Sequence, residues 1–360
     1  MAERVSLAVT NLDDRLVPAA LVDSTETPMT SMPPFKPSYA LGSGFGSQSR
    51  VQMLDSDLKF RQDFLAFEAG FTGGVRTALA DFNGDGVMDI AAAAGPGGGP
   101  HVRVYDGATT QDLFSGNPVL AIAPRLHFDE FVFDPKFAGG VTLTTADVTG
   151  NARPDLIVGA GASGGPHVKV YDGDTWELAM EFFAFETDFS GGVTVAAGDL
   201  SDDGKAEVVV GSGPGRTNGV AVFDLSEAGQ ISRFSPYGTS TMGLNVAVVE
   251  ERIVVGPMSG LGNRVLHFDG TALFSGSAET VLGPVTIVAY DPGFTGGVFV
   301  ASADVDLDGR DDLVVGPGAG GGPHIKAFDI DDGTLLDEFF RPRATAGDAW
   351  SRAGVPVGRA

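Results

Sequence analysis

The stretch VRTALADFNGDGVMDIAAAAGPGGGPHVRVYD at Val75–Asp106 is repeated along the chain. Two near copies are VTLTTADVTGNARPDLIVGAGASGGPHVKVYD at Val141–Asp172 and VFVASADVDLDGRDDLVVGPGAGGGPHIKAFD at Val298–Asp329. A more divergent copy, VTVAAGDLSDDGKAEVVVGSGPGRTNGVAVFD, lies at Val193–Asp224. The unit is about 50 residues long, a period that is typical of propellers and related repeat architectures.

Alternation within one repeat predicts strands and not helices. Val193, Val195 and Ala197 alternate with other residues, and the apolar run Val208–Val210 follows after a polar loop. Four such strands, separated by Gly, Pro, Asn and Asp, make an antiparallel meander of the size of a propeller blade. An aromatic residue and an acid, followed by Phe-x-Gly-Gly, introduce four of the copies, at residues 67–74, 133–140, 185–192 and 290–297.

We predict an all-β fold, a β-propeller of six four-stranded antiparallel blades. A further copy at Asn245–Asp269 keeps the strands but has a tight Glu250–Glu251 turn in place of the acidic loop. A partial copy at residues 39–68 lacks its first strand, and the sequence GVPVG at Gly354–Gly358 is expected to supply it. N- and C-terminal strands would then close the ring in one composite blade and leave no long sheet edge open. The predicted blade cores lie near residues 75–110, 141–185, 193–235, 242–290 and 298–342.

Residues 1–38 are interpreted as an N-terminal extension that precedes a propeller at residues 39–360. The part from Ser24 to Tyr39 is rich in Ser, Thr and Pro and is expected to be disordered. No secretion signal is visible in residues 1–23, because they contain neither a basic start nor a long apolar run. The sequence NLDDRLVPA at Asn11–Ala19 resembles a short motif near the start of many surface or exported proteins of planctomycete bacteria.

The composition excludes several classes of function. The chain has 47 acidic and 23 basic residues and a formal net charge of −24, so it repels nucleic-acid phosphates and anionic lipid surfaces. It has no cysteine, which removes disulfides, thiol catalysis and cysteine-bound metals. No apolar run reaches the roughly 18 residues that span a membrane. We therefore predict no nucleic-acid partner and no membrane insertion, and we expect cations as ligands.

The acidic loop of the first repeat has the ligand spacing of a calcium site. Carboxylates this close together repel one another unless a cation joins them, and oxygen ligands favour calcium. Gly86 allows the tight turn, while Ala92 stands where an EF-hand has its bidentate Glu, so the EF-hand interpretation fails. The candidate ligands at loop positions 1, 3, 5, 7 and 9 are Asp81, Asn83, Asp85, Val87 through its carbonyl, and Asp89.

Three more copies of this loop predict calcium sites whose expected affinity falls from one copy to the next. The second strong site consists of Asp304, Asp306, Asp308, the Arg310 carbonyl and Asp312. A third site, with a longer final acid, consists of Asp199, Ser201, Asp203, the Lys205 carbonyl and Glu207. A weak site, in which only the first and last ligands are charged, consists of Asp147, Thr149, Asn151, the Arg153 carbonyl and Asp155. The alternative for each loop is a metal-free hairpin built on Asx turns.

The Phe-x-Gly-Gly phrase, the acidic loop and the V-V-G-x-G phrase together resemble FG-GAP repeats, the repeats of integrin alpha-subunit propellers that also occur in bacterial surface proteins. The resemblance covers residues 39–342, although the fourth copy lacks the acidic loop. It implies calcium-binding loops and a role in adhesion or recognition.

Other motifs point away from familiar enzymes. Gly159-x-Gly161-x-x-Gly164 matches a dinucleotide fingerprint, but a strand follows it where that fingerprint needs a helix. The chain shows no metalloprotease, nucleophile-elbow or P-loop signature. Three histidines, His101, His167 and His324, occupy equivalent positions, and each is expected to bond to its own Gly-rich turn.

We interpret the chain as a non-enzymatic, calcium-binding recognition or adhesion module for a protein or glycan, and as a monomeric domain. Extracellular modules often bind calcium with dissociation constants of about 10⁻⁴–10⁻³ M, which suits the calcium concentration outside cells, so an extracellular or cell-surface location is expected. The alternative is a calcium-dependent propeller hydrolase or lyase that acts at the axial cleft. Departures from the repeat at Gln111–His127 and Thr271–Pro284 are candidate partner contacts.

Overall fold

The short apolar runs of each repeat form β-strands, and the Gly-, Pro- and Asp-rich phrases between them form turns. The structure, a computed structural model, describes residues 39–54, 60–108, 125–225, 229–274, 285–322, 324–340 and 357–359. In this part of the chain, 24 strands form six four-stranded antiparallel sheets. The prediction of an all-β propeller with six blades is therefore confirmed. The described residues belong to one unit, Lys36–Ala360.

The composite blade and the first two full blades have the following strands, given from the inner to the outer strand. The composite blade contains β24 (Val357–Arg359), β1 (Tyr39–Gly42), β2 (Arg50–Leu54) and β3 (Phe60–Leu65). Blade 1 contains β4 (Val75–Ala80), β5 (Asp89–Ala94), β6 (His101–Tyr105) and β7 (Leu126–Phe131). Blade 2 contains β8 (Val141–Ala146), β9 (Asp155–Ala160), β10 (His167–Tyr171) and β11 (Leu178–Phe183).

The other three blades repeat this order. Blade 3 contains β12 (Val193–Gly198), β13 (Glu207–Ser212), β14 (Val220–Asp224) and β15 (Gly229–Phe234). Blade 4 contains β16 (Leu244–Val249), β17 (Arg252–Pro257), β18 (Arg264–Asp269) and β19 (Val285–Val288), with a 3₁₀ helix at Thr271–Leu273. Blade 5 contains β20 (Val298–Ala303), β21 (Asp312–Pro317), β22 (His324–Phe328) and β23 (Leu335–Phe340). No helix among these residues is long and apolar enough to cross a bilayer.

The second strand of each blade is buried on both faces. Strands β5, β9, β13 and β21 are buried along their whole length. Between blades 1 and 2, for example, Ala91 and Ala93 of β5 share one apolar cluster with Val141 and Leu143 of β8. The inner strands contact one another in the order β4, β8, β12, β16, β20 and β24, and β24 contacts β4. The blades therefore form a closed ring.

The ring is closed by pairing between strands that are far apart in sequence. Strand β24 pairs with β1 in antiparallel register, with Val357 opposite Leu41 and Arg359 opposite Tyr39. The predicted closure by N- and C-terminal strands is thus present, but the strand begins three residues later than the predicted Gly354. Residues 354–356, like the predicted extension at residues 1–38, lie outside the described residues.

The Phe-x-Gly-Gly phrase joins four of the blades to the blade before them. In blade 2, the carbonyl of Ala138 accepts a hydrogen bond from the backbone N–H of Gly97 in blade 1, at 2.8 Å. The next residues pack so closely that a Cβ on Gly140 would lie 2.7 Å from the backbone of Gly95 and Pro96. Gly140 also has a φ of +78°, which L side chains rarely adopt. The second Gly of the phrase is therefore required both by its own conformation and by the neighbouring blade.

We predict that Gly140→Ala destabilises the ring more than Gly97→Ala does. Gly97 has a comparable φ of +91°, but a Cβ there would meet nothing within 4 Å. Backbone strain alone costs about 1–2 kcal/mol, so Gly97→Ala should cost that amount and Gly140→Ala clearly more. Urea unfolding of the two variants measures the difference. Equal losses of stability would show that the close approach between blades 1 and 2 is unimportant.

Candidate metal centre

The four acidic loops occupy the same place in four blades, the connection from the inner to the second strand. They join β4 to β5, β8 to β9, β12 to β13 and β20 to β21. Because the blades repeat around the ring, the four loops lie at one end of it. In blade 4 the same connection is a tight turn at Glu250–Glu251 between β16 and β17, as the sequence indicated.

The first acid of each loop holds the loop backbone through its carboxylate. In blade 1, Asp81 accepts hydrogen bonds from the backbone N–H groups of Gly84 at 2.7 Å and Gly86 at 2.8 Å. Equivalent bonds are accepted by Asp147, Asp199 and Asp304. The first position therefore has one structural role in all four loops, and its oxygens are fixed at the centre of the turn.

The fifth residue of each loop forms a second turn. In blade 1, Asp85 Oδ1 accepts the backbone N–H of Val87 at 2.8 Å. The same bond joins Asn151 to Arg153, Asp203 to Lys205, and Asp308 to Arg310. The backbone of the seventh residue is thereby held beside the fifth side chain, as a pair of adjacent ligands requires.

The ninth residue of each loop is the first residue of the second strand and is buried. Its carboxylate accepts the backbone N–H of the second loop residue, at distances of 2.7–3.1 Å. Burial raises the pKa of this carboxyl in every loop, in Asp312 to about 6, where the charges of Asp306 and Asp308 add to the effect. A cation in the loop would stabilise the charged form of these acids. The four residues are Asp89, Asp155, Glu207 and Asp312.

In blade 5 the acidic side chains converge. Carboxylate oxygens of Asp304, Asp306 and Asp312 all lie within 4.8 Å of one another. Ligands of one calcium ion are separated by comparable distances, because each oxygen lies about 2.3–2.6 Å from the ion. Asp308 is outside this group, and the Arg310 side chain donates to Asp331 at 2.6 Å. The structure thus brings three of the five predicted ligands together as one acidic cluster that could hold a metal ion.

In blade 1 the ninth residue belongs to a different cluster. Asp89, Asp106 and His127 form the second group of three potential ligands in the described structure, and it excludes Asp81 and Asp85. Neither Asp106 nor His127 was predicted from the sequence. A signal existed for Asp106, since an Asp ends the repeated phrase of every full repeat, whereas His127 lies outside the repeated phrases.

Among the described residues, the loops of blades 2 and 3 do not bring three potential metal ligands together. In blade 2, Asp155 accepts the backbone N–H of Thr149 at 2.9 Å, and the Asn151 amide donates to Asp172 at 3.1 Å. In the loop for which a weak site is predicted, the last acid and the Asn151 side chain thus both make hydrogen bonds within the protein. In blade 3, Glu207 accepts the N–H of Leu200 at 2.7 Å. Asp147, Asp199 and Asp203 accept the same backbone hydrogen bonds as their counterparts in blade 1.

The three equivalent histidines contact acids of the outer strands, and each stays within its own blade. His167 Nε2 lies 3.1 Å from Glu181, and His324 Nε2 lies 3.0 Å from Glu338. His101 contacts Asp129 in the same way. Each Nε2 is thus paired with a carboxylate of the fourth strand, and not with a Gly-rich turn as expected.

The predicted partner contacts are described only in part. Residues 111–124 of the first departure from the repeat and residues 275–284 of the second lie outside the described residues. His127, at the end of the first departure, lies within strand β7.

Comparisons with known proteins relate this chain to others mainly through its fold. No family model matches the chain. The phosphatidylinositol-glycan-specific phospholipase D of Bos taurus is 33% identical over 107 residues, which is 30% of this chain and 12% of that protein. The chain thus matches a small part of that enzyme's length.

Two solved structures are similar in shape at low sequence identity. A chain from the crystal structure of a nidogen/laminin complex matches with a TM-score of 0.50 and 10% identity, over 89% of this chain and 97% of that chain. The structure of U3-55K matches with a TM-score of 0.45 and 12% identity, over 89% of this chain and 76% of that chain. At such identity, the first likeness concerns the fold alone.

We predict that Asp312 titrates near pH 6 in calcium-free solution. Its folded pKa lies above the value of about 3.9 for an unfolded Asp, so the folded state holds this proton more tightly. This contribution to stability is complete below pH 4 and is lost as the pH rises towards 6. Carboxyl-carbon NMR measures the pKa, and Asp312→Asn should remove this part of the pH dependence of unfolding. A pKa at or below 4 would contradict the prediction.

Proposed function

We propose that this chain is a calcium-stabilised, non-enzymatic binding module that recognises a protein or glycan outside the cell or at its surface. The main support is the convergence of Asp304, Asp306 and Asp312 in a loop whose backbone is already arranged around the first acid. The resemblance to FG-GAP repeats points the same way.

The ligand chemistry supports calcium over other cations. The five predicted groups of the blade 5 loop are all oxygens: four carboxylates, at Asp304, Asp306, Asp308 and Asp312, and the Arg310 carbonyl. Calcium takes six to eight such oxygens in irregular geometry, whereas magnesium demands a regular octahedron. Bound calcium would neutralise mutually repelling charges at one end of the ring, and it would act on stability by binding only the folded state.

We predict that chelation lowers the unfolding temperature and that calcium restores it in a saturable way. At a free concentration about 100 times the dissociation constant, each site adds about 2.7 kcal/mol. Asp304→Asn should remove most of the stabilisation due to its own loop, and Asp147→Asn much less. Calorimetry should count two to four ions in the unaltered chain and one fewer in Asp304→Asn.

The matched control is Glu177→Gln, which removes one exposed negative charge outside the loops. It should leave the calcium titration unchanged. If Glu177→Gln and Asp304→Asn have equal effects, calcium acts by general charge screening. No calcium effect on the unaltered chain would leave metal-free hairpins in all four blades.

The recognition part of the proposal needs a separate measurement. Glycan and extracellular-protein arrays, probed with the labelled chain in calcium and again after chelation, would show a calcium-dependent ligand. Loss of binding after chelation at a temperature where the ring stays folded would connect recognition to the loops. Absence of binding on both arrays would count against recognition and leave calcium stabilisation to be judged on its own data.

The alternative, a hydrolase or lyase at the axial cleft, stays a prediction. An axial cavity of about 330 Å³ is lined by inner strands, with Glu250 and Asp311 as its two carboxylates among the described residues. Glu250 accepts the backbone N–H of Asp311, and Asp311 accepts the hydroxyl of Ser302. Turnover of a glycoside or ester that is lost in Glu250→Gln would favour this alternative.

A further inference from the structure

Blade 1 has a histidine beside two buried acids, at a position where the other blades have no histidine. Oxygens of Asp89 and Asp106 and a ring nitrogen of His127 lie within 4.8 Å of one another. Asp89 is fully buried, Asp106 is 4% exposed, and the His127 side chain is 10% exposed. All three groups are thus removed from bulk water.

His127 reaches this position because of a β-bulge. In the pairing of β6 with β7, Val104 lies opposite Phe128 and Tyr105 opposite Leu126, so His127 is the extra residue. Bulges redirect side chains and are common next to functional sites. The extra residues at the equivalent bulges of blades 2, 3 and 5 are Ala179, Ile231 and Leu336. The acid pair recurs in these blades, but the histidine is particular to blade 1.

The nitrogen of His127 that faces the acids makes no hydrogen bond to the described protein. Its Nε2 is buried, and it lies 3.5 Å from Asp89 Oδ1, which is too long for a hydrogen bond of normal strength. Two ligands that bind one ion at about 2.1 Å with a tetrahedral angle are about 3.4 Å apart. The separation of Nε2 and Oδ1 therefore suits two ligands of one metal ion.

The two oxygens of Asp89 face different neighbours. Oδ2 accepts the N–H of Phe82 in the acidic loop, at 3.1 Å. Oδ1 accepts the N–H of Gly107 at 2.9 Å and is the oxygen nearest to His127. A metal at His127 would thus use the side of Asp89 that is turned away from the acidic loop, so the two sites do not compete for the same oxygen.

We propose that Asp89, Asp106 and His127 form a site for a transition-metal dication of the zinc type, distinct from the calcium loops. Calcium takes oxygen ligands, whereas imidazole nitrogen suits zinc and its neighbours in the first row. Two carboxylates and a neutral imidazole balance the charge of one dication. A cavity of about 290 Å³, lined by His127, Phe82 and Trp176 and by the exposed Asn83, Arg125 and Asp174, provides access and space for a water ligand.

Trp176 makes the site observable. Its ring stacks on that of His127, with centroids 6.3 Å apart and planes 12° apart. The chain has two Trp residues, so Trp350→Phe leaves Trp176 as the single fluorophore. Cobalt(II) is a paramagnetic substitute for zinc that quenches a nearby indole, while zinc itself does not, so zinc competition reverses the signal.

The test is a cobalt titration of the full-length Trp350→Phe chain in saturating calcium, followed by Trp176 fluorescence and by cobalt visible absorption. We expect saturable quenching by one ion per chain and its reversal by zinc but not by further calcium. His127→Ala introduces the residue type found at the blade 2 bulge. It should weaken cobalt binding by more than about 10-fold, because loss of a side chain that only supports a metal ligand already weakens metal binding by about that factor. Asp106→Asn should weaken it as well and serves as a second variant.

The matched control is His324→Ala, which removes a histidine that also faces a carboxylate but lies in blade 5. It should leave the cobalt signal unchanged. The proposal is overturned if cobalt does not quench Trp176, if quenching persists in folded His127→Ala and Asp106→Asn, or if His324→Ala abolishes it. Calcium stabilisation is measured separately with Asp304→Asn, so failure of one proposal does not imply failure of the other.

Discussion

Each blade has two apolar faces, and neither can be buried within the blade itself. A four-stranded meander whose second strand is apolar on both sides needs a neighbour on each side, and a ring is the arrangement in which no blade lacks one. The other repeated features follow from this need. Small residues such as Ala91 and Ala93 let the inner parts of blades approach, and the Phe-x-Gly-Gly phrase lets backbones meet where Gly140 touches blade 1.

Burial of the second strand also sets the electrostatics of the acidic loops. The ninth loop residue is both the last predicted ligand and the first residue of a buried strand. Its carboxylate is therefore removed from water, although other acids of the same loop lie near it. Hydrogen bonds from the backbone, such as that of Val305 to Asp312, offset part of the cost of its charge. A bound cation would offset the rest, and the stability of the fold would then vary with the concentration of that cation.

The sequence was sufficient for features that repeat and insufficient for features that occur once. Period, alternation and loop spacing identified the six blades, the ring closure and the equivalent courses of the four loops. The strand Val357–Arg359 was placed three residues early because three residues carry too little alternation to fix a boundary. His127 could not be associated with Asp89 and Asp106, because their proximity depends on a bulge and on a pairing between β6 and β7 that no local pattern specifies.

The pairing of β24 with β1 also orders events during synthesis. Tyr39 and Arg359 are about 320 residues apart, so the first sheet begun is the last completed. Until residues 357–359 leave the ribosome, β1 has a free edge and five finished blades form an open arc with two uncovered faces. Such edges and faces are the surfaces through which incomplete chains aggregate. The last open strand edge and the two uncovered blade faces are therefore closed together, in one final step.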